Sequence, residues 1–87
     1  MNYSADYSEH ILKIFDKMAK RDKTQLRVIN KKISEILKNP YHFKPLRGDM
    51  KGSRRVHFGH FVITFEIDEE KKVIKFLDYD HHDNIYD

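Results

Sequence analysis

The last ten residues, DYDHHDNIYD, bring His81, His82 and Tyr86 close together among Asp78, Asp80, Asp83 and Asp87. Groups of this kind move protons. Histidine titrates near neutral pH, and flanking carboxylates can orient an imidazole and raise its pKa. A tyrosine, with an unperturbed pKa near 10, acts as a base only where neighbouring cations favour its phenolate. Upstream, Arg55 and His57 are two residues apart, the spacing at which strand side chains point to the same side. A guanidinium beside an imidazole can hold an anion while a proton moves. The combination reads as acid–base chemistry on an anionic substrate.

Plainer readings stand beside each of these. His81-His82 can be a polar pair at a strand end, and because neighbours on a strand face opposite sides, both do not enter one site. Tyr86 can be a packing anchor. Asp78, Asp80, His81, His82 and Asp83 are proper ligands for zinc or manganese. The doublet nevertheless lacks the i, i+4 spacing of helical zinc motifs, and no third histidine is fixed by spacing, so no metal is expected. Lys20, Arg21 and Lys23 can meet phosphate or form a solvated turn. Tyr41, His42 and Phe43 can stack on RNA bases or line the edge of the core. Glu66 can act as a base or pair across strands with Arg55.

Charge is unevenly spread. All 17 Lys and Arg lie in residues 1–77 beside 10 of the 14 acids, so that body is +7 and the last ten residues are −4. The resulting pI of about 9.1 favours an anionic partner such as nucleic acid or an acidic protein segment. At 87 residues the chain is expected to form a single domain, 1–87, with one thin core. It has no cysteine for disulfides or thiolate metal sites. The opening MNYSADYSEH lacks the apolar centre of a signal peptide, and no apolar run approaches a membrane span, so a cytoplasmic location with no membrane partner is expected.

Hydrophobic period supplies the scaffold. Tyr3, Ala5 and Tyr7 alternate with Ser4 and Asp6 as in a short strand. Ser8 can cap a helix whose apolar face is Ile11, Leu12, Phe15, Met18 and Ala19. Asp22 can cap a second, striped by Leu26, Ile29, Ile33, Ile36 and Leu37 and ended by Asn39-Pro40. Residues 41–53 read as loop. Val56 and Phe58 then alternate with Arg55 and His57, Gly59-His60 is a hairpin turn, and FVITFEI (61–67) and VIKFLDY (73–79) are two further strands. The expected fold is α+β, in the order β-α-α-β-β-β, with a helical hairpin on one face of a small antiparallel sheet. Val56 and Phe58 should meet the helices, leaving Arg55 and His57 on an open, basic face.

The succession YS, helical hairpin, NP, KPLRG, GSRRV, FVITFEI and DHHDNIY resembles the RelE/ParE toxin superfamily, and in particular its RelE and YoeB-type mRNA interferases. The resemblance runs over nearly the whole chain. It implies the toxin of a type II toxin–antitoxin system, held by a cognate antitoxin, that binds the ribosome and cuts mRNA in the A site. The cut would drive the 2′-OH onto the adjacent phosphate and needs no metal and no small-molecule cofactor. By position, the resemblance assigns Arg55, His57, His81, His82 and Tyr86 to catalysis, and Arg47, Lys51, Arg54 and Arg55 to RNA binding. This sequence departs from the family in two places. The strand GHFVITF carries no arginine where the family usually has one, and His82 stands where many members have arginine. A gyrase-blocking ParE-like toxin and a non-catalytic RNA- or protein-binding module are the alternatives.

Overall fold

The computed structural model describes residues 2–43 and 53–81. Strand β1 (Ser4–Tyr7) leads into helices α1 (Glu9–Arg21) and α2 (Lys23–Lys38). Strands β2 (Ser53–Phe58), β3 (Phe61–Asp68) and β4 (Val73–His81) complete one sheet of order β1-β4-β3-β2.

The helix boundaries follow the capping chemistry. Ser8 is extended (φ −67°, ψ 157°), and its hydroxyl accepts from the Ile11 N–H at 3.1 Å. Asp22 ends one helix and starts the next. Its N–H donates to the Met18 carbonyl, and its carboxylate accepts from Gln25 N–H. Asn39-Pro40 closes α2, and Pro40 opens a single 3₁₀ turn, Pro40–His42. Gly59, at φ +63°, supplies the left-handed residue of the β2–β3 turn.

Between the layers lies one apolar cluster: Ile11 from α1, Ile29, Ile33 and Ile36 from α2, and Val56, Ile63, Phe65, Ile74, Phe76 and Tyr79 from the sheet. The expected stripe of α2 is therefore the buried one. On α1 the stripe needs one correction: Leu12 is half exposed, while Ile14 packs on the cluster. Leu12 lies about 100° round the helix from Ile11, the residue at the centre of the buried stripe, and so sits at its margin.

The sheet is mixed, whereas an antiparallel one was expected. Strands β2, β3 and β4 are antiparallel, but β1 runs parallel to β4, with Ser4 opposite Val73 and Tyr7 opposite Phe76. Parallel pairing brings the end of β1, and so the Ser8 cap, to the middle of β4. There the Ser8 N–H donates to the Phe76 carbonyl and its hydroxyl to the Leu77 carbonyl at 2.7 Å.

Strand β4 also carries an irregularity absent from the expected pattern. Phe65 pairs with Phe76 but Thr64 pairs with Asp78, so Leu77 is an extra residue, a β-bulge. Beyond it the side-chain phase reverses. Tyr79, instead of Asp78, enters the core, stacking on Phe61 and meeting Phe15 edge-on. Burial pushes its phenol up to about 12, against a weak bond from Gln25 at 3.3 Å.

At the opposite end, Glu69 ties three segments together. Its carboxylate accepts from Tyr3 at 2.9 Å, from Tyr41 and from Lys72. Lys72 lies over the Tyr3 ring and Arg54 over the Tyr41 ring. The bonds from Lys72, Tyr41 and Tyr3 hold the Glu69 carboxyl down at about 2, and its acceptance pushes the Tyr41 phenol up to about 12.

Two outcomes are expected. Phe65→Ala should cost about 3–5 kcal/mol, and Ser8→Ala about 0.5–2 kcal/mol, in urea unfolding. Because its folded pKa lies below the ordinary value, Glu69 contributes stability that is complete above that value and lost as pH falls towards 2. A carbon-13 titration should show Glu69 still ionised near pH 3, with Lys72→Met raising its midpoint more than Tyr41→Phe, since the lysine bond contributes most.

Candidate active site

The face of the sheet away from the helices is built in rows that follow the strand register. Arg55, Thr64 and Asp78 form one row, and His57, Val62 and Asp80 form the next. Arg55 and His57 thus share the open face, as their spacing predicts. At about 4.8 Å per strand, each row sets a β2 backbone about 10 Å from its β4 counterpart. Between them, Val62 is fully buried and Thr64 nearly so. The backbone of His81 pairs with that of Phe61 and so ends β4 at this end of the sheet.

Other expected site residues lie elsewhere. Arg54 has the parity of Val56 and turns to the helix side. It donates to the Phe43 carbonyl at 2.6 Å and lies 5.1 Å from the Tyr41 ring centre. Glu66 faces Ser53 and Lys75 instead of standing opposite Arg55. Arg47, Lys51, His82 and Tyr86 lie outside the described residues.

Charge on the described surface differs from the basic open face expected of the sequence. The row Asp6, Lys75, Glu66, with Asp68 beyond it, makes this end of the open face acidic. A groove of about 860 Å³ lined by these residues, Glu70 and Val73 lies at the far end of the sheet from His57 and His81, apart from the candidate chemistry. The cations concentrate on the helices instead: four in α1 and five in α2, nine of the 17, beside Glu9, Asp16 and Glu35 within the same helices. All nine but Lys32 are exposed. The physical reason is packing. A helix on a sheet buries one stripe and leaves most of its circumference to solvent, which is where lysines are cheapest to place.

One contact in this region was not anticipated from the sequence. His10, in the first turn of α1, places Nε2 2.9 Å from Asp78 Oδ1, and the same oxygen accepts from the Tyr79 N–H at 2.8 Å. No spacing rule links residues 68 positions apart. The only signal was the apolar doublet Phe76-Leu77, which breaks the alternation and marks the bulge that frees Asp78 from the core.

Comparison with known proteins agrees with this architecture. The profile of the family described as the ParE toxin of type II toxin-antitoxin system, parDE, matches residues 2–86. The chain is 45% identical over 85 residues to a protein of Methanocaldococcus jannaschii named as toxin RelE4, covering 97% of this chain and 90% of that one. Among solved structures, the toxin–antitoxin complex RelBE2 from Mycobacterium tuberculosis superposes with a TM-score of 0.78 at 20% identity, covering 93% of this chain and 99% of the other. The isolated RelE toxin of E. coli gives 0.76 at 23% identity, covering 91% and 83%. At those identities the two structures speak to the fold, while the family profile and the archaeal relative speak to descent. The chain belongs to the RelE/ParE superfamily and is a toxin of the type II toxin–antitoxin kind.

Proposed function

We propose that the protein is a ribosome-dependent endoribonuclease that cuts mRNA in the A site. The observation that supports this best is the pairing of Arg55 and His57 on one face of β2, level with the Asp78–His81 end of β4 and separated from it by Val62 and Thr64 of β3. A scissile phosphodiester bound at this end of the sheet meets a guanidinium on one side and the proton-transferring end of β4 on the other.

In this reading Arg55 holds the phosphate and stabilises the charge that grows on the phosphorane. The histidine–tyrosine ending, His81 or His82 together with Tyr86, takes the 2′-OH proton and returns one to the 5′-oxygen, with His57 assisting. The 2′-oxygen attacks phosphorus, the bond to the 5′-oxygen breaks, and a 2′,3′-cyclic phosphate and a 5′-hydroxyl result. Arg47 and Lys51 extend the hold on the message. Arg54 is given a structural part, since Phe43 and Tyr41 already engage it. The exposed cations of α1 and α2 suit ribosomal RNA or the acidic segment of a cognate antitoxin. The M. tuberculosis relative was solved as a toxin–antitoxin complex, which supports an antitoxin partner here.

The gyrase-blocking reading keeps a claim, because the matching family profile is that of ParE toxins. Mapping mRNA 5′ ends after brief induction separates the two. Codon-phased cuts are expected; intact messages with altered plasmid supercoiling would favour the second reading.

On programmed ribosomes, Arg55→Ala should lower single-turnover cleavage by about 10²–10³-fold, and by more than Tyr86→Phe. Variants at Arg55, His81, His82 and Tyr86 that fold and cleave like the parent would overturn the site. Capture by the antitoxin encoded beside it should weaken as salt rises, through screening of exposed charges.

A further inference from the structure

We infer that His10 is a positioning residue: through Asp78 it fixes the end of β4 that delivers the proton-transferring groups. The inference rests on the nuclease reading above for its effect on rate, but its geometry stands independently.

Strand β4 has β3 along its whole length, yet on its other side β1 stops at Tyr7, opposite Phe76. Among the described residues, 77–81 therefore have strand pairing on one side alone. The first turn of α1 takes the place of the missing strand with three successive contacts. The Ser8 N–H meets the Phe76 carbonyl at 2.9 Å, the Ser8 hydroxyl meets the Leu77 carbonyl at 2.7 Å, and His10 Nε2 donates to Asp78 Oδ1 at 2.9 Å. They climb β4 one residue at a time, and the His10 contact is the last before Asp80 and His81.

The bulge gives that last contact its leverage. At a bulge the ladder is locally interrupted and the strand bends, and pairing with β3 resumes at the next residue, where a second hold fixes the strand's direction. Asp78 is that residue. Its Oδ1 accepts from the Tyr79 N–H at 2.8 Å as well as from His10, so one carboxylate links the helix to the backbone just past the kink. Because the carboxylate accepts, Nε2 must carry the proton, whatever the charge of the ring.

The pair is also poorly suited to a purely stabilising role. The side chains are 65% and 44% exposed, and exposed pairs contribute little to folding. Geometry is where such a contact tells, since a displacement of about 1 Å in a catalytic group can cost about 10²-fold in rate.

The experiment compares the full chain with His10→Ala, His10→Gln, Asp78→Ala and the His10→Ala/Asp78→Ala double variant. Each is assayed for single-turnover cleavage on programmed ribosomes, for thermal midpoint and for amide exchange at Tyr79 and Asp80. Expected are a ten- to hundredfold lower rate for either alanine variant, an unchanged midpoint and unchanged half-saturating ribosome concentration, and faster exchange at Tyr79 and Asp80. The double variant should lose no more than the singles, because the two residues act as one unit. His10→Gln, whose amide can still donate to Asp78, should recover most of the rate. Parent-like rates and exchange in the alanine variants would overturn the inference. So would a rate loss that matches a fall in thermal midpoint. If the parent does not cleave, the nuclease reading fails by itself, and the exchange result then decides whether His10 holds the strand.

Discussion

The single extra residue in β4 governs most of what this fold presents to its surroundings. Ile74 and Phe76 enter the core on the regular alternation of a strand, and a continuation of that alternation would carry Asp78 and Asp80 in after them. Burying an ionised carboxylate without a partner costs several kcal/mol. Inserting Leu77 shifts the phase by one, so that Tyr79 fills the core and the aspartates face outward. The stacked and edge-on contacts of Tyr79 with Phe61, Phe15 and Phe58 then close that end of the cluster. The acidic row of β4 comes to lie level with Arg55 and His57 for the same reason.

A second consequence concerns charge. With carboxylates spread over the open face of the sheet and nine cations spread over two helices, the described surface is polarised from layer to layer. The formal charge of +3 for the whole chain conceals this. A polyanion approaching from solution is steered first by the helical layer, while the sheet contributes a few placed cations. Long-range attraction and local chemistry are thus handled by different elements.

Much of the architecture was legible in the sequence because it rests on local rules. Ser8 and Asp22 cap the helices they were expected to cap, Asn39-Pro40 ends the second, and Gly59-His60 turns the hairpin. The common face of Arg55 and His57 follows from parity alone. What the sequence did not yield was non-local. The parallel partnership of β1 with β4 depends on tertiary order, since Ser4–Tyr7 is short and exposed and carries no sign of its neighbour. The placement of Arg54 on the helix side follows from the parity of Val56, yet its engagement by Phe43 and Tyr41 required the fold. The basic open face that was expected is not what the described residues present, because net charge says nothing about which layer bears it. His10 carries no local signal of its contact, since its partner is 68 positions away.

Everything above turns on the phase reversal in β4, and ring contacts in solution report it directly. A two-dimensional nuclear Overhauser experiment on the aromatic protons of Tyr79 distinguishes the two faces of the sheet. The account predicts cross-peaks from the Tyr79 ring to the rings of both Phe15 and Phe61, whose centroids lie 6.2 and 5.4 Å away. Cross-peaks instead to the side chains of Val62 and Thr64, on the open face, would mean that β4 runs without the bulge, and would contradict it.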